Sequence, residues 1–201
     1  EVEPTQRRFL SIGQLEGRAP LDQVRTPLPF VPIERAQPAD LYWMAKRIGA
    51  VSHEVIDAAV RAGRLDDPGA ASWLVRTLDL RRRHLLEQIY AKVTPVEFRG
   101  VKNLSLLLCD LLVFGGFASA SAVDLSLSLH TRTGERLGSP RSARPDATGH
   151  FEVHLPELEH HAREDLLLRV QQLRAGSATP PMVLHLRYDA EWGLRITGIT
   201  R

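Results

Sequence analysis

The spacing of apolar positions changes near Pro95. Before it, Leu74, Val75, Leu78, Leu85, Leu86, Ile89 and Val93 recur along one side of a single helical segment. After it, Val123, Leu125, Leu127 and Leu129 alternate with Asp124, Ser126, Ser128 and His130, the two-residue repeat of a half-buried strand. The change predicts an α+β chain in three parts. An extended proline-rich arm covers 1–38 and a three-helix unit 39–94, both packed on an antiparallel β-sandwich over 95–201.

Helix signals sharpen the middle part. A first helix over 41–48 follows Pro38 and Asp40, with Leu41, Met44, Ala45 and Ile48 on one face. Ser52 predicts an N-cap for a second helix over 53–62, closed by Gly63 and Arg64. Asp67-Pro68 predicts the start of a third, running to Lys92 or Val93. Strands are expected over 104–114, 123–130, 151–155, 166–173, 182–188 and 194–199, with 134–148 as a long polar loop. Their number and spacing favour a sandwich of immunoglobulin-like size.

In the arm, the run Thr26-Pro27-Leu28-Pro29-Phe30-Val31-Pro32-Ile33 cannot be helical, because its prolines lack a donor and bias their predecessors toward extended geometry. Its apolar side chains predict an arm laid against a folded surface. Phe9-Leu10-Ser11-Ile12 offers a further short strand.

Charge and cysteine content narrow the function classes. A net charge of +2 gives no electrostatic case for a nucleic-acid partner. The longest apolar stretch, 104–117, is shorter than the ~18 residues a membrane helix needs, so no transmembrane segment is expected. Cys109 lies in an apolar run and reads as a buried small hydrophobe. A lone cysteine excludes an internal disulfide and leaves both redox compartments open, including an extracytoplasmic bacterial one reached after processing. The chain opens on Glu1 with no signal-peptide pattern, which reads as a mature or excised fragment.

Three clusters carry the candidate chemistry. One of Arg81 and Arg82 must interrupt the apolar stripe of the third helix, and a half-buried arginine there calls for a carboxylate partner. Asp79, Asp57, Asp66, Asp67 and Asp110 are the candidates, and Arg81, Arg82 and Asp110 are read as a structural clamp. Glu157, His160, His161 and Glu164 form the densest set of possible metal ligands, which would converge only on a helix. A solvated turn between strands is the plainer reading. His53-Glu54 lacks the second histidine of a zinc-protease motif, since Asp57 stands there. No nucleophile elbow, phosphate loop or dinucleotide fingerprint occurs, so neither catalytic nor cofactor-binding residues are assigned and no cofactor is expected.

Tyr42-Trp43-Met44-Ala45-Lys46, Val51-Ser52-His53-Glu54-Val55-Ile56, Asp67-Pro68-Gly69-Ala70-Ala71, Trp73-Leu74-Val75-Arg76-Thr77-Leu78 and Arg81-Arg82 resemble a motif set in the C-terminal region of larger bacterial proteins with no assigned activity. Gly198-Ile199-Thr200-Arg201 resembles the end of those chains. Arg83 stands where that pattern has an acid. The resemblance implies a fragment with an upstream partner domain. The leading expectation is a non-catalytic interaction or accessory domain. The alternatives are a hydrolase subunit contributing acid and histidine residues to a shared site, and a cell-envelope or carbohydrate-binding module using Trp43, Trp73 or Trp192.

Overall fold

The computed structural model describes residues 35–174 and 177–201. The expected arm and the short strand near Phe9 fall outside these residues, apart from the arm's last few positions. The chain is α+β, with helices first and antiparallel sheets after them. Two compact units divide it: one holds Trp43–Ile89, the other Gln37–Tyr42 and Tyr90–Arg201.

The helices are α1 (Pro38–Gly49), α2 (His53–Ala62) and α3 (Pro68–Tyr90). Each start is chemically marked. Pro38 occupies the first turn of α1, and the Asp40 carboxylate accepts the Gln37 N–H at 2.9 Å, satisfying a donor the helix cannot. Ser52 accepts the Val55 N–H at 3.4 Å to cap α2. Asp67 does the same for α3, accepting from Gly69 at 2.7 Å and Ala70 at 3.4 Å. Between α2 and α3, Ile56, Val60 and Val75 are buried with Ala71 and Leu74 against them. Leu78 departs from its expected place in the stripe and is 37% exposed.

The second unit contains two antiparallel sheets around one core. β1 (Val96–Lys102), β2 (Ser105–Asp110) and β5 (His150–His154) form the first, in the order β1-β2-β5. The second runs β4-β3-β6-β8-β9, built from β3 (Asp124–Thr131), β4 (Arg136–Ala143), β6 (Asp165–Arg174), β8 (Met182–Asp189) and β9 (Gly193–Thr200), with β7 (Ser177–Ala178) paired to β6. Leu106, Leu108, Phe151 and Val153 of the first sheet share a cluster with Leu125, Leu127, Leu166, Leu168 and Leu184 of the second. Burial of such side chains contributes on the order of 1.5–3 kcal/mol each.

Three expectations are corrected. The strand expected over 104–114 ends at Asp110, and Leu111–Phe114 turns into a short helix, α4. The cause is the Asp110 carboxylate, which accepts the Leu112 and Val113 N–H groups at 3.0 and 3.1 Å. The expected polar loop over 134–148 contains β4, an edge strand whose mostly exposed residues carry no alternation. β1, also an edge strand, was absent from the expected set; its charged residues hide it in the same way.

Candidate functional site

A groove of about 620 Å³ lies in the helical unit between α2 and α3. Helical spacing places Asp57, Val60 and Arg61 of α2 on one wall and Ala71, Val75, Asp79 and Leu80 of α3 on the other. Its walls mix acids and bases at close range. Arg61 meets Asp57 at 2.9 Å one turn away, and His53 Nδ1 lies 4.0 Å from Asp79. Arg76, which also lines it, stacks 4.9 Å from the Trp73 ring centroid. Ser72 is the groove's hydroxyl, and it donates to the Pro68 carbonyl at 3.0 Å within its own helix. The arrangement suits contact with another surface better than nucleophilic chemistry. The groove's rim is largely exposed, with Val60 and Val75 buried at its floor, and His53 has an acid beside it without a poised nucleophile.

Arg82 and Asp79 meet at this groove's margin. Arg82 Nη2 lies 2.8 Å from Asp79 Oδ1, and Nη1 donates to the Val51 carbonyl ahead of α2. The side chains are 14% and 23% exposed, so the pair is sheltered while it ties α3 to the α2 approach. Arg81 is half-buried.

Asp110 belongs to the β unit and is fully buried. One carboxylate oxygen caps α4, and the other accepts from the Gln172 side-chain amide of β6. Asp110 thereby links the end of one sheet to the other. Gln172 in turn sits beside a threonine pair: its N–H donates to Thr179 Oγ1 at 3.3 Å, and Thr179 and Thr94 hydroxyls are 2.7 Å apart. Gln172 was not singled out from sequence. Its signal was there, because it extends the inward register of Leu166, Leu168 and Val170.

The four possible metal ligands are dispersed on a 3₁₀ turn, Pro156–His161, and the residues after it. Glu157 pairs with Arg141, His161 Nδ1 lies 3.2 Å from Glu164, and His160 is exposed. Among the described residues no three histidine, cysteine or carboxylate side chains form a metal-holding group. Cys109 is buried on β2, and burial pushes its thiol up despite the Arg99 guanidinium beside it. Trp43 and Trp192 are exposed, on α1 and on the β8–β9 turn.

No protein-family model matches the chain, and no curated protein matches it.

Proposed function

We propose that this chain is a non-catalytic interaction or accessory module of a larger bacterial protein, docking on an upstream domain or a partner chain. The observation that supports this reading is the apolar surface left open on the helical unit. Trp43 is 64%, Val55 55% and Leu80 44% exposed, and Leu80 borders the α2–α3 groove. Concentrated apolar exposure on a small helical unit suits a protein contact. The groove's mixed charge favours a protein surface over nucleic acid, whose binding would call for an unbroken basic face.

The test is site-specific photocrosslinking in the bacterial host, from a benzophenone side chain at position 55 or 80, with the exposed position 152 of β5 as control. The reading expects one protein to be captured from positions 55 and 80 and not from the control. That protein, purified, should bind the chain and lose at least about tenfold in affinity with Leu80→Asp. Equal capture from all three positions, or binding indifferent to Leu80→Asp, would refute it.

A further inference from the structure

The outer face of the larger sheet carries a second, chemically different recess, of about 260 Å³. Three neighbouring strands build it by simple alternation. Ser126, Ser128 and His130 project outward from β3, because Leu125, Leu127 and Leu129 project inward. Register sets Arg169 directly opposite Ser128 and Gln171 opposite Ser126 on β6, and Arg136 opposite His130 on β4. Side chains directly opposite across antiparallel strands stand within ~5.5 Å at Cβ, so these six form one cluster. Pro140 and Pro181 wall it.

The polar groups are arranged with one kind of charge left over. His130 Nδ1 lies 3.2 Å from the Gly134 carbonyl, which can only accept, so that nitrogen carries the proton. Nε2 is 2.9 Å from Ser128 Oγ, which fixes the ring against the strand. Gln171 donates to the Thr179 carbonyl at 2.8 Å. Among the described residues, no carboxylate lies within ion-pair distance of the Arg136 or Arg169 guanidinium, and the Ser126 hydroxyl has no hydrogen-bond partner. The acids of β3 and β6 that share this face are already paired elsewhere. Asp124, at one end, meets Arg144 at 2.5 Å, and Asp165, at the other, faces Arg187 at 3.6 Å and Arg132 at 3.9 Å. The middle of the sheet therefore presents two uncompensated cations and a free hydroxyl donor over a rigid floor.

We propose that this recess binds the phosphate group of a small phosphorylated ligand. Two guanidiniums on opposite sides of β3 match a dianion, since planar forks bind phosphate oxygens with paired N–H donors. Ser126 supplies a third donor, and the His130–Ser128 pair holds the floor in one geometry. The recess leaves room beyond the phosphate for the body of the ligand. This site lies on the β unit and is independent of the helical groove.

Titration of the whole chain with inorganic phosphate, glycerol 3-phosphate and acetate, followed by amide and arginine Nε–H NMR shifts at moderate salt, tests it. Saturable binding of both phosphates, with shifts centred on Arg136, Arg169 and Ser126, is expected. Arg136→Gln and Arg169→Gln should each weaken it by about fivefold or more, while Arg195→Gln, on β9 away from the recess, should not. These residues are exposed, so the variants should keep the wild-type fold, which the same spectra report. No saturable shift, acetate binding as tightly as phosphate, or equal affinity in all three variants would overturn the proposal.

Discussion

The guanidinium of Arg201 lies 3.3 Å from the centroid of the Tyr42 ring. Its terminal nitrogens also donate to the main-chain carbonyls of Thr94 at 3.0 Å and Val96 at 2.6 Å. Tyr42 passes the contact on, its hydroxyl donating to the Glu97 carboxylate. One cation thus closes a knot of the first turns of α1, the start of β1 and the residue after β9. Both carbonyls belong to buried residues, Thr94 and Val96.

Removing that cation should therefore be costly. Arg201→Ala strands two sheltered carbonyls and removes the cation from the tyrosine face, an expected loss of roughly 2–3 kcal/mol. Arg201→Lys should recover less than half, because an ammonium cannot span both carbonyls in a planar fork. Urea melts of the three proteins decide this, and an unchanged midpoint for Arg201→Ala would count against the knot.

Alkaline pH probes the same region. Burial raises the Tyr42 hydroxyl above its ordinary range, opposed by Arg201 and reinforced by the Glu97 hydrogen bond. Burial raises Tyr90 as well, helped by the Asp110 charge. Below about pH 10 both tyrosines are protonated in folded and unfolded chains, so this contribution is constant. Above it the unfolded chain releases protons that the native state keeps, and stability falls as pH rises. Phenolate absorbance lost in Tyr42→Phe and Tyr90→Phe difference spectra should emerge together with loss of far-UV dichroism. Ionisation of both near pH 10 with structure intact would contradict the burial argument.

Gly149 and Gly134 separate crowding from backbone strain. Both have positive φ, 85° and 92°. A Cβ at 149 would stand 2.7 Å from the Asp110 carbonyl oxygen and 2.7 Å from the Phe114 nitrogen, whereas one at 134 meets nothing within 4 Å. Gly134→Ala should cost the ~1–2 kcal/mol of left-handed strain alone, and Gly149→Ala clearly more, up to loss of folding. Similar thermal midpoints for the two would remove the distinction.

Asp110→Ala should lose about 3 kcal/mol, since it uncaps α4 and leaves the Gln172 amide without its acceptor in the core. Asp110→Asn keeps an oxygen for the Leu112 and Val113 N–H groups and should lose less than half as much. Chemical denaturation ranks them, and Asn behaving like Ala would mean the cap is not the main contribution.

In the helical unit, Arg82→Ala should destabilise by roughly 1–2 kcal/mol, by freeing Asp79 and the Val51 carbonyl. A double-mutant cycle with Asp79→Ala measures the pair itself. Strict additivity would show that the two side chains do not act together.

How legible this was depended on whether a residue's role is local. The α2 and α3 starts were readable because Ser52 and Asp67 act on N–H groups two or three residues away, and β3 because its inward leucines alternate without a break. Edge strands β1 and β4 were not, because half of each faces solvent or the sheet rim and no burial disciplines its sequence. Asp110 in the apolar run reads as an ion-pair partner; its hydrogen bonds to Leu112, Val113 and Gln172 add a helix cap and a tie to a residue 62 positions away. Its buried carboxylate needed hydrogen-bond donors, and that much follows from an acid set in an apolar run. Which groups satisfy it depends on how two sheets face each other. The same holds for the phosphate recess, whose arginines come from β4 and β6 and meet only through register with β3. Local hydrogen bonding and periodicity are written along the chain, whereas cross-strand neighbours and the pairing of charges exist only once the sheets have closed.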